Sequence, residues 1–289
     1  MTASIGMAWT LTDDLGDYLA AAAGFLRSLP VQHTIQLSAV ETLRARGASA
    51  FGETAPLFGW WRSVTGEVTA ALQHTPPYPV LLTRLPEHSA QPLAEALAGR
   101  RRPLPGVNAQ EDDGAQFAAA WSRLTGASAQ ESRRSRLFRL QQLAPPAPGP
   151  RGTARVATAA DRVLLESWLA AFAAEIGEST GRPADTVDER LSYGGLTLWE
   201  ADGAAVSLAG LHRPAAGTVR VTPVYTPASR RRQGYGGAVT AAVSQAALDA
   251  GAEHVVLFTD LANPTSNALY QRLGYRPVED RVVFRFGPD

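Results

Sequence analysis

The chain has 289 residues, 45% hydrophobic and 19% charged, which is enough length for two domains and enough apolar surface to give each a core. Its 27 basic and 27 acidic residues cancel, removing any general attraction to nucleic acid or to an anionic membrane. Cysteine and lysine are both absent, which excludes disulfides, thiolate nucleophiles, Cys-ligated zinc, a P-loop lysine and Schiff-base chemistry.

Residues 1–11 show neither a charged leader nor a long apolar run, and no later stretch reaches the roughly 18 apolar residues of a membrane span. A soluble, cytoplasmic protein is expected. Periodicity predicts helices at Asp13–Arg27 and Leu37–Ala45, then strands near Leu57–Arg62, Val68–Gln73 and Val80–Arg84. Helix Ala90–Leu97, a short apolar segment at Val107, helix Gly114–Leu124 and strand Arg136–Leu140 complete the first half. The arginine groups Arg100–Arg102 and Arg133-Arg134-Ser135-Arg136 read as solvated loops. In Trp60-Trp61, strand alternation lets only one indole face a core.

Between Ala144 and Gly152 four prolines can neither donate to a sheet ladder nor continue a helix. Residues 144–152 therefore read as a semi-rigid linker between a first domain, 1–143, and a second, 153–289. The second half opens with a strand at Thr153–Thr158. Asp161 is positioned to N-cap a helix carrying Leu164, Leu165, Trp168, Leu169 and Phe172 on one face. A helix near Asp185–Ser192 precedes strands Leu196–Ala201, Ala205–His212 and Thr218–Tyr225. An Ala-rich helix over Gly236–Ala250 ends at Gly251, followed by strand His254–Thr259, helix Pro264–Leu273 and strand Arg281–Phe286. The two halves share one element order, as a duplication would give.

The informative run is Tyr225-Thr226-Pro227-Ala228-Ser229-Arg230-Arg231-Arg232-Gln233-Gly234-Tyr235-Gly236-Gly237. A strand ends, glycines turn the chain and a helix begins, so backbone N–H groups and the helix dipole converge on one space. Glycine lets that backbone approach a ligand, and neighbouring arginines add contacts to phosphate. A ligand bearing a pyrophosphate or similar anion is expected. A P-loop is excluded for want of lysine. A dinucleotide fingerprint wants a third glycine where Val239 stands, although Asp260 sits where a ribose-binding acid would. Coenzyme A is the third class.

Arg231-Arg232-Gln233-Gly234-Tyr235-Gly236 fits the pattern R/Q-x-x-G-x-G/A, and downstream Asn263 precedes Tyr270 on a helix closed by Gly274-Tyr275. Through these two motifs the sequence, from about Arg155 to Phe286, resembles the GNAT N-acetyltransferase family, two-lobed bacterial type. The resemblance implies a mixed α/β (α+β) sheet with a GNAT fold in the C-terminal half and a degenerate GNAT-like N-terminal half without the glycine loop. It implies acetyl-CoA as co-substrate, no metal, and an edge at Val224, Tyr225 and Thr226 that pairs with pantetheine. By the same resemblance, Arg231, Arg232, Gln233, Gly234, Tyr235, Gly236 and Gly237 hold the pyrophosphate. Asn263 and Asn267 bind the cofactor across the splay, and Tyr270 is the general acid. Glu175, closing the first helix of the second half, is either a carboxylate that binds the amine or relays its proton through water, or a solvated helix end. His212 and His254 read as structural or surface histidines. The function implied is acetyl transfer to a primary amine of a small molecule or protein by direct attack in a ternary complex, with no nucleic-acid or membrane partner, in a monomer or homodimer. A non-catalytic CoA sensor is the rival class; it would not need the acid.

Overall fold

The computed structural model describes residues 8–177 and 183–287. Most of the leader reading for 1–11 lies outside the described residues. Two compact units are present: unit 1 is 1–136, 260–262 and 279–289, and unit 2 is 137–259 and 263–278.

Unit 1 runs β1 (Trp9–Thr12), α1 (Leu15–Ser28), α2 (Thr34–Arg46), β2 (Leu57–Arg62), β3 (Val68–His74), β4 (Val80–Leu82), α3 (Ala90–Gly99), β5 (Gly106–Gln110), α4 (Glu111–Thr125) and the first part of β6 (Ser128–Leu140). Antiparallel neighbours join β1 through β4, and β4 meets β5 in parallel at Val80↔Val107 and Leu81↔Asn108. The outer edge of β5 is filled by residues far along the chain, Arg281–Arg285 of β12, which pair antiparallel with Gly106–Gln110. Leu57, Trp61, Leu72, Leu82, Leu93, Val107, Phe117 and Trp121 form its core, against which Phe284 and Phe286 pack. Just past the parallel pairs, Arg281 is buried and binds across both strands. Its guanidinium donates to the Leu82 carbonyl (2.9 Å), the Asn108 carbonyl (3.1 Å) and the Asn108 side-chain oxygen (3.0 Å). Asp113 accepts from the Leu85 amide at 3.0 Å, and burial raises its carboxyl pKa above the usual carboxylate range.

Unit 2 repeats the order: the end of β6, β7 (Thr153–Val156), α5 (Arg162–Glu175), α6 (Pro183–Leu191), β8 (Leu196–Ala201), β9 (Ala204–Leu211), β10 (Thr218–Tyr225), α7 (Tyr235–Asp249), β11 (His254–Asp260), α8 (Pro264–Arg272) and the start of β12 (Tyr275–Gly287). Its strands order as β7-β8-β9-β10-β11, antiparallel except for the β10/β11 pair. One core cluster gathers Val219, Val221, Val239, Val243, Leu257, Tyr270 and Tyr275 around α7 and α8. A second lies under α5 and α6, with Leu165, Trp168, Leu196, Leu198, Leu208 and Tyr225. Gly251 (φ 86°) ends α7 as expected, and its successor Ala252 donates back to Ala247.

Several expectations change. Arg133–Arg136 are not a loop but part of β6, and β12 is thirteen residues long where six were expected. Asp161 does not cap α5. Thr158 and Asp161 close a capping box around the short 3-10 turn Ala159–Asp161, and the Asp161 carboxylate is held by Arg155 at 2.7 Å. The proline run falls within unit 2. The Ala144 amide donates to the Leu273 carbonyl at 3.0 Å and the Arg151 carbonyl accepts from the Trp199 indole at 2.9 Å. Phe138 and Leu140, which precede that run, belong to the unit 2 core. Phe138→Ala should therefore cost about 3–5 kcal/mol in denaturant unfolding, the range for a truncated buried aromatic.

Candidate active site

A gap between neighbouring strands of unit 2 organises the site. β10 and β11 pair at Thr218↔His254, Val219↔Val255 and Arg220↔Val256. Both strands continue, to Tyr225 and Asp260, yet among the described residues no further pairing joins them. Val224 and Tyr225 are held from the β9 side, opposite Ala209 and Leu208. The buried Ser207 hydroxyl reinforces that side, donating to the Tyr225 carbonyl at 3.0 Å and lying 2.8 Å from the Thr226 hydroxyl. The Tyr225 ring packs on Trp168, centroids 5.8 Å apart.

Past Thr226 the chain makes a 3-10 turn, Ala228–Arg230, and then two left-handed residues, Arg232 (φ 63°) and Gly234 (φ 86°). Glycine adopts this conformation freely, whereas for a residue with a Cβ it costs roughly 1–2 kcal/mol. The alternating hand turns successive N–H groups into a concavity. The first-turn amides of α7, at Tyr235, Gly236 and Gly237, have no intrahelical carbonyl to meet. The result is a left-handed glycine cradle of backbone N–H groups, with the positive end of the α7 dipole behind it. A Cβ at Gly237 would stand 3.0 Å from the Leu269 side chain of α8, a tight contact at which the leucine would have to shift.

The structure distributes the expected side chains unevenly. Arg232 and Gln233 are exposed beside the cradle. Tyr235 turns its ring into a cluster with Ala201 and Val206, leaving its backbone amide as the group it offers. Arg231 is engaged twice: Nε donates to the Thr226 carbonyl at 2.9 Å and Nη2 to Glu175 Oε1 at 2.5 Å. Glu175 and the cradle are thus brought together by an exposed ion pair. Asn263 spends its side chain on capping α8, accepting from the Ser266 amide at 3.0 Å, and Asn267 Nδ2 donates to the Asn263 carbonyl at 2.7 Å. Tyr270, farther along α8, is buried in the same core as Val219, Val221 and Leu257 of the parting strands. Burial pushes its phenol up to about 12. His254 and His212 are both half-buried; His212 lies between Arg190 and Arg220, and burial with these two cations holds its pKa well below the ordinary histidine value. Arg190 is the residue that sequence reasoning missed. A signal existed: it falls one turn after the buried Val187, on the apolar stripe of α6. Among the described residues no group of three or more His, Cys, Asp or Glu is placed to hold a metal, and no helix is long and apolar enough to cross a membrane.

The sequence model of the acetyltransferase (GNAT) family matches residues 162–275. No curated protein matches the chain. Solved structures share its fold at low identity. A GCN5-related N-acetyltransferase from Sphaerobacter thermophilus matches with TM-score 0.62 and 17% identity, over 96% of this chain and 95% of that one. An acetyltransferase of the GNAT family from Colwellia psychrerythraea gives 0.60 and 12%, over 96% and 99%. A tandem GNAT protein from the clavulanic acid biosynthesis pathway gives 0.57 and 17%, over 98% and 100%.

Because the folded Tyr270 phenol ionises higher than the unfolded value of 10.0, its contribution to stability is complete below pH 10 and is lost as pH rises through about 12. In alkaline unfolding, Tyr270→Phe should flatten the fall in stability over that window relative to wild type; parallel curves would refute the burial of the hydroxyl.

Proposed function

We propose that this chain, whose residues 162–275 match the acetyltransferase (GNAT) family model, moves an acetyl group from acetyl-CoA to a primary amine by direct attack in a ternary complex. The observation that carries this reading is the parting of β10 from β11 immediately before a left-handed glycine cradle. The opened edge at Val224, Tyr225 and Thr226 accommodates an extended chain bearing amides, and the cradle from Arg231 to Gly237 accommodates a pyrophosphate. Pantetheine diphosphate has both parts in that order. Asn263 and Asn267 border the far side of the opening at the start of α8.

In the reaction the amine nitrogen bonds to the thioester carbonyl carbon, and a backbone N–H near Tyr225 meets the oxyanion that develops. As the carbon–sulfur bond breaks, Tyr270 passes its phenolic proton to the sulfur. A phenol near 12 would be a poor acid toward an aqueous thiolate of about 8.5. Burial disfavours the thiolate for the same reason that it disfavours the phenolate, so the gap narrows where both share one apolar site. Glu175 receives the amine's proton through water, and Arg231 exchanges its Glu175 partner for the diphosphate when the cofactor enters.

Unit 1 is proposed to take no cofactor. Where its parallel strands β4 and β5 end, the carbonyls that a pantetheine would meet are already bound by Arg281. Its role in this reading is structural. Calorimetry on the full chain should therefore return one acetyl-CoA per molecule; two would refute this assignment of unit 1.

Two substitutions test the chemistry. Gly234→Val forces a branched residue to φ 86° and should weaken acetyl-CoA binding at least about tenfold, or roughly 1.4 kcal/mol. Tyr270→Phe should lower turnover by about 10² to 10⁴ with little change in affinity. Full turnover by a folded Tyr270→Phe protein would end the acid assignment.

A further inference from the structure

Arg190, near the end of α6, is 5% exposed, and its guanidinium meets two backbone carbonyls and one imidazole. Nη1 donates to the carbonyls of Leu211 (3.3 Å) and Thr222, and Nη2 lies 3.1 Å from His212 Nε2. Arg220 approaches the same His212 nitrogen at 3.1 Å, which makes the imidazole a neutral acceptor. Burying a guanidinium on neutral acceptors alone is costly, so a purely architectural place would be filled more stably by an apolar side chain.

The carbonyl of Thr222 lies at a special point. Along β10, Val221 stands opposite Leu211 and Val224 opposite Ala209, so Thr222 and Pro223 together face the single residue Gly210. This bulge immediately follows the last β10/β11 pair, at Arg220, and immediately precedes the Val224–Thr226 edge. A bulge bends its strand and sharpens the twist, so it sets the direction in which the following residues present their backbone groups. Gly210 is cut to fit. A Cβ there would stand 2.6 Å from Arg190 Nη1 and 2.7 Å from the Thr222 carbonyl oxygen.

We propose that Arg190 is a positioning residue for acetyl transfer, fixing the β10 bulge so that the Val224–Thr226 edge lies at the reacting carbonyl. This rests on the acetyl-transfer reading above. The guanidinium fork suits the task because Nη1 meets both carbonyls while Nη2, fixed in the same plane, meets His212, an arrangement that a single ammonium nitrogen cannot reproduce. Arg190 does not touch the cradle, so its effect falls on the geometry of the reaction step and not on retention of the diphosphate.

The test uses the full chain with acetyl-CoA and an amine that wild type acetylates. Wild type is measured first: if it neither binds acetyl-CoA nor releases thiol, the acetyl-transfer reading itself fails. With an active wild type, Arg190→Met should lower kcat about a hundredfold per folded molecule while the acetyl-CoA dissociation constant stays within about threefold, since misplacement of about 1 Å has that consequence. Arg190→Gly with added guanidinium should recover kcat, and equal urea should not. Should Arg190→Met fail to fold, Arg190→Lys is read by the same two quantities. An unchanged kcat with only a lowered melting temperature would overturn the proposal. So would a parallel loss of affinity and kcat, or guanidinium that restores nothing.

Discussion

Everything at this site depends on two parallel strands ceasing to pair. Backbone N–H and C=O groups inside a protein need partners, so a sheet that opens in its middle must either fill the gap with its own side chains or leave room for something else. Unit 1 fills it, sending Arg281 across from Asn108 to Leu82 and Asp113 to the Leu85 amide. Unit 2 anchors Val224 and Tyr225 from the β9 side, puts a bulge at Thr222-Pro223, and follows the opening with a left-handed cradle. One element order thus yields two different outcomes, decided by which polar side chains reach the gap.

The ion pair between Glu175 and Arg231 joins two parts that a linear reading keeps separate. Glu175 closes α5 and Arg231 opens the cradle, 56 positions later. Both side chains are nearly half exposed, so the pair is weak and screened by salt. It can therefore be exchanged for a stronger anion without a large cost.

Much of unit 2 was legible in the sequence because its signals are local. Thr218–Tyr225 is a run rich in β-branched residues, and α7 is bounded by Gly234 and Gly251, both left-handed in the structure. The strands of unit 1 were legible for the same reason, except Trp9–Thr12, too short to carry a period. The ends of β6 and β12 were not legible. Arg133, Arg134 and Arg136 look like solvent residues by composition, and the ion pairs of Arg134 with Glu111 and Arg136 with Asp280 appear only once the strand is folded. Asp161 carried an N-cap signature, yet a bidentate partner in Arg155 drew its carboxylate elsewhere. The glycines before α7 and Tyr270 are singled out by the resemblance of their motifs to the family. That Tyr235 contributes backbone alone, and that Asn263 caps a helix, depend on packing that spacing does not encode.

The pairing of Gly106–Gln110 with Arg281–Arg285 has a consequence for how the chain comes into being. Domains commonly fold as they leave the ribosome, amino-terminal one first. Here the first unit lacks the strand beside β5, two phenylalanines packed on its core and the arginine that binds across its parallel strands until residue 286 has been synthesised. During translation β5 is an exposed edge, the kind of surface on which neighbouring nascent chains pair. The first unit is therefore completed only after the second has been made.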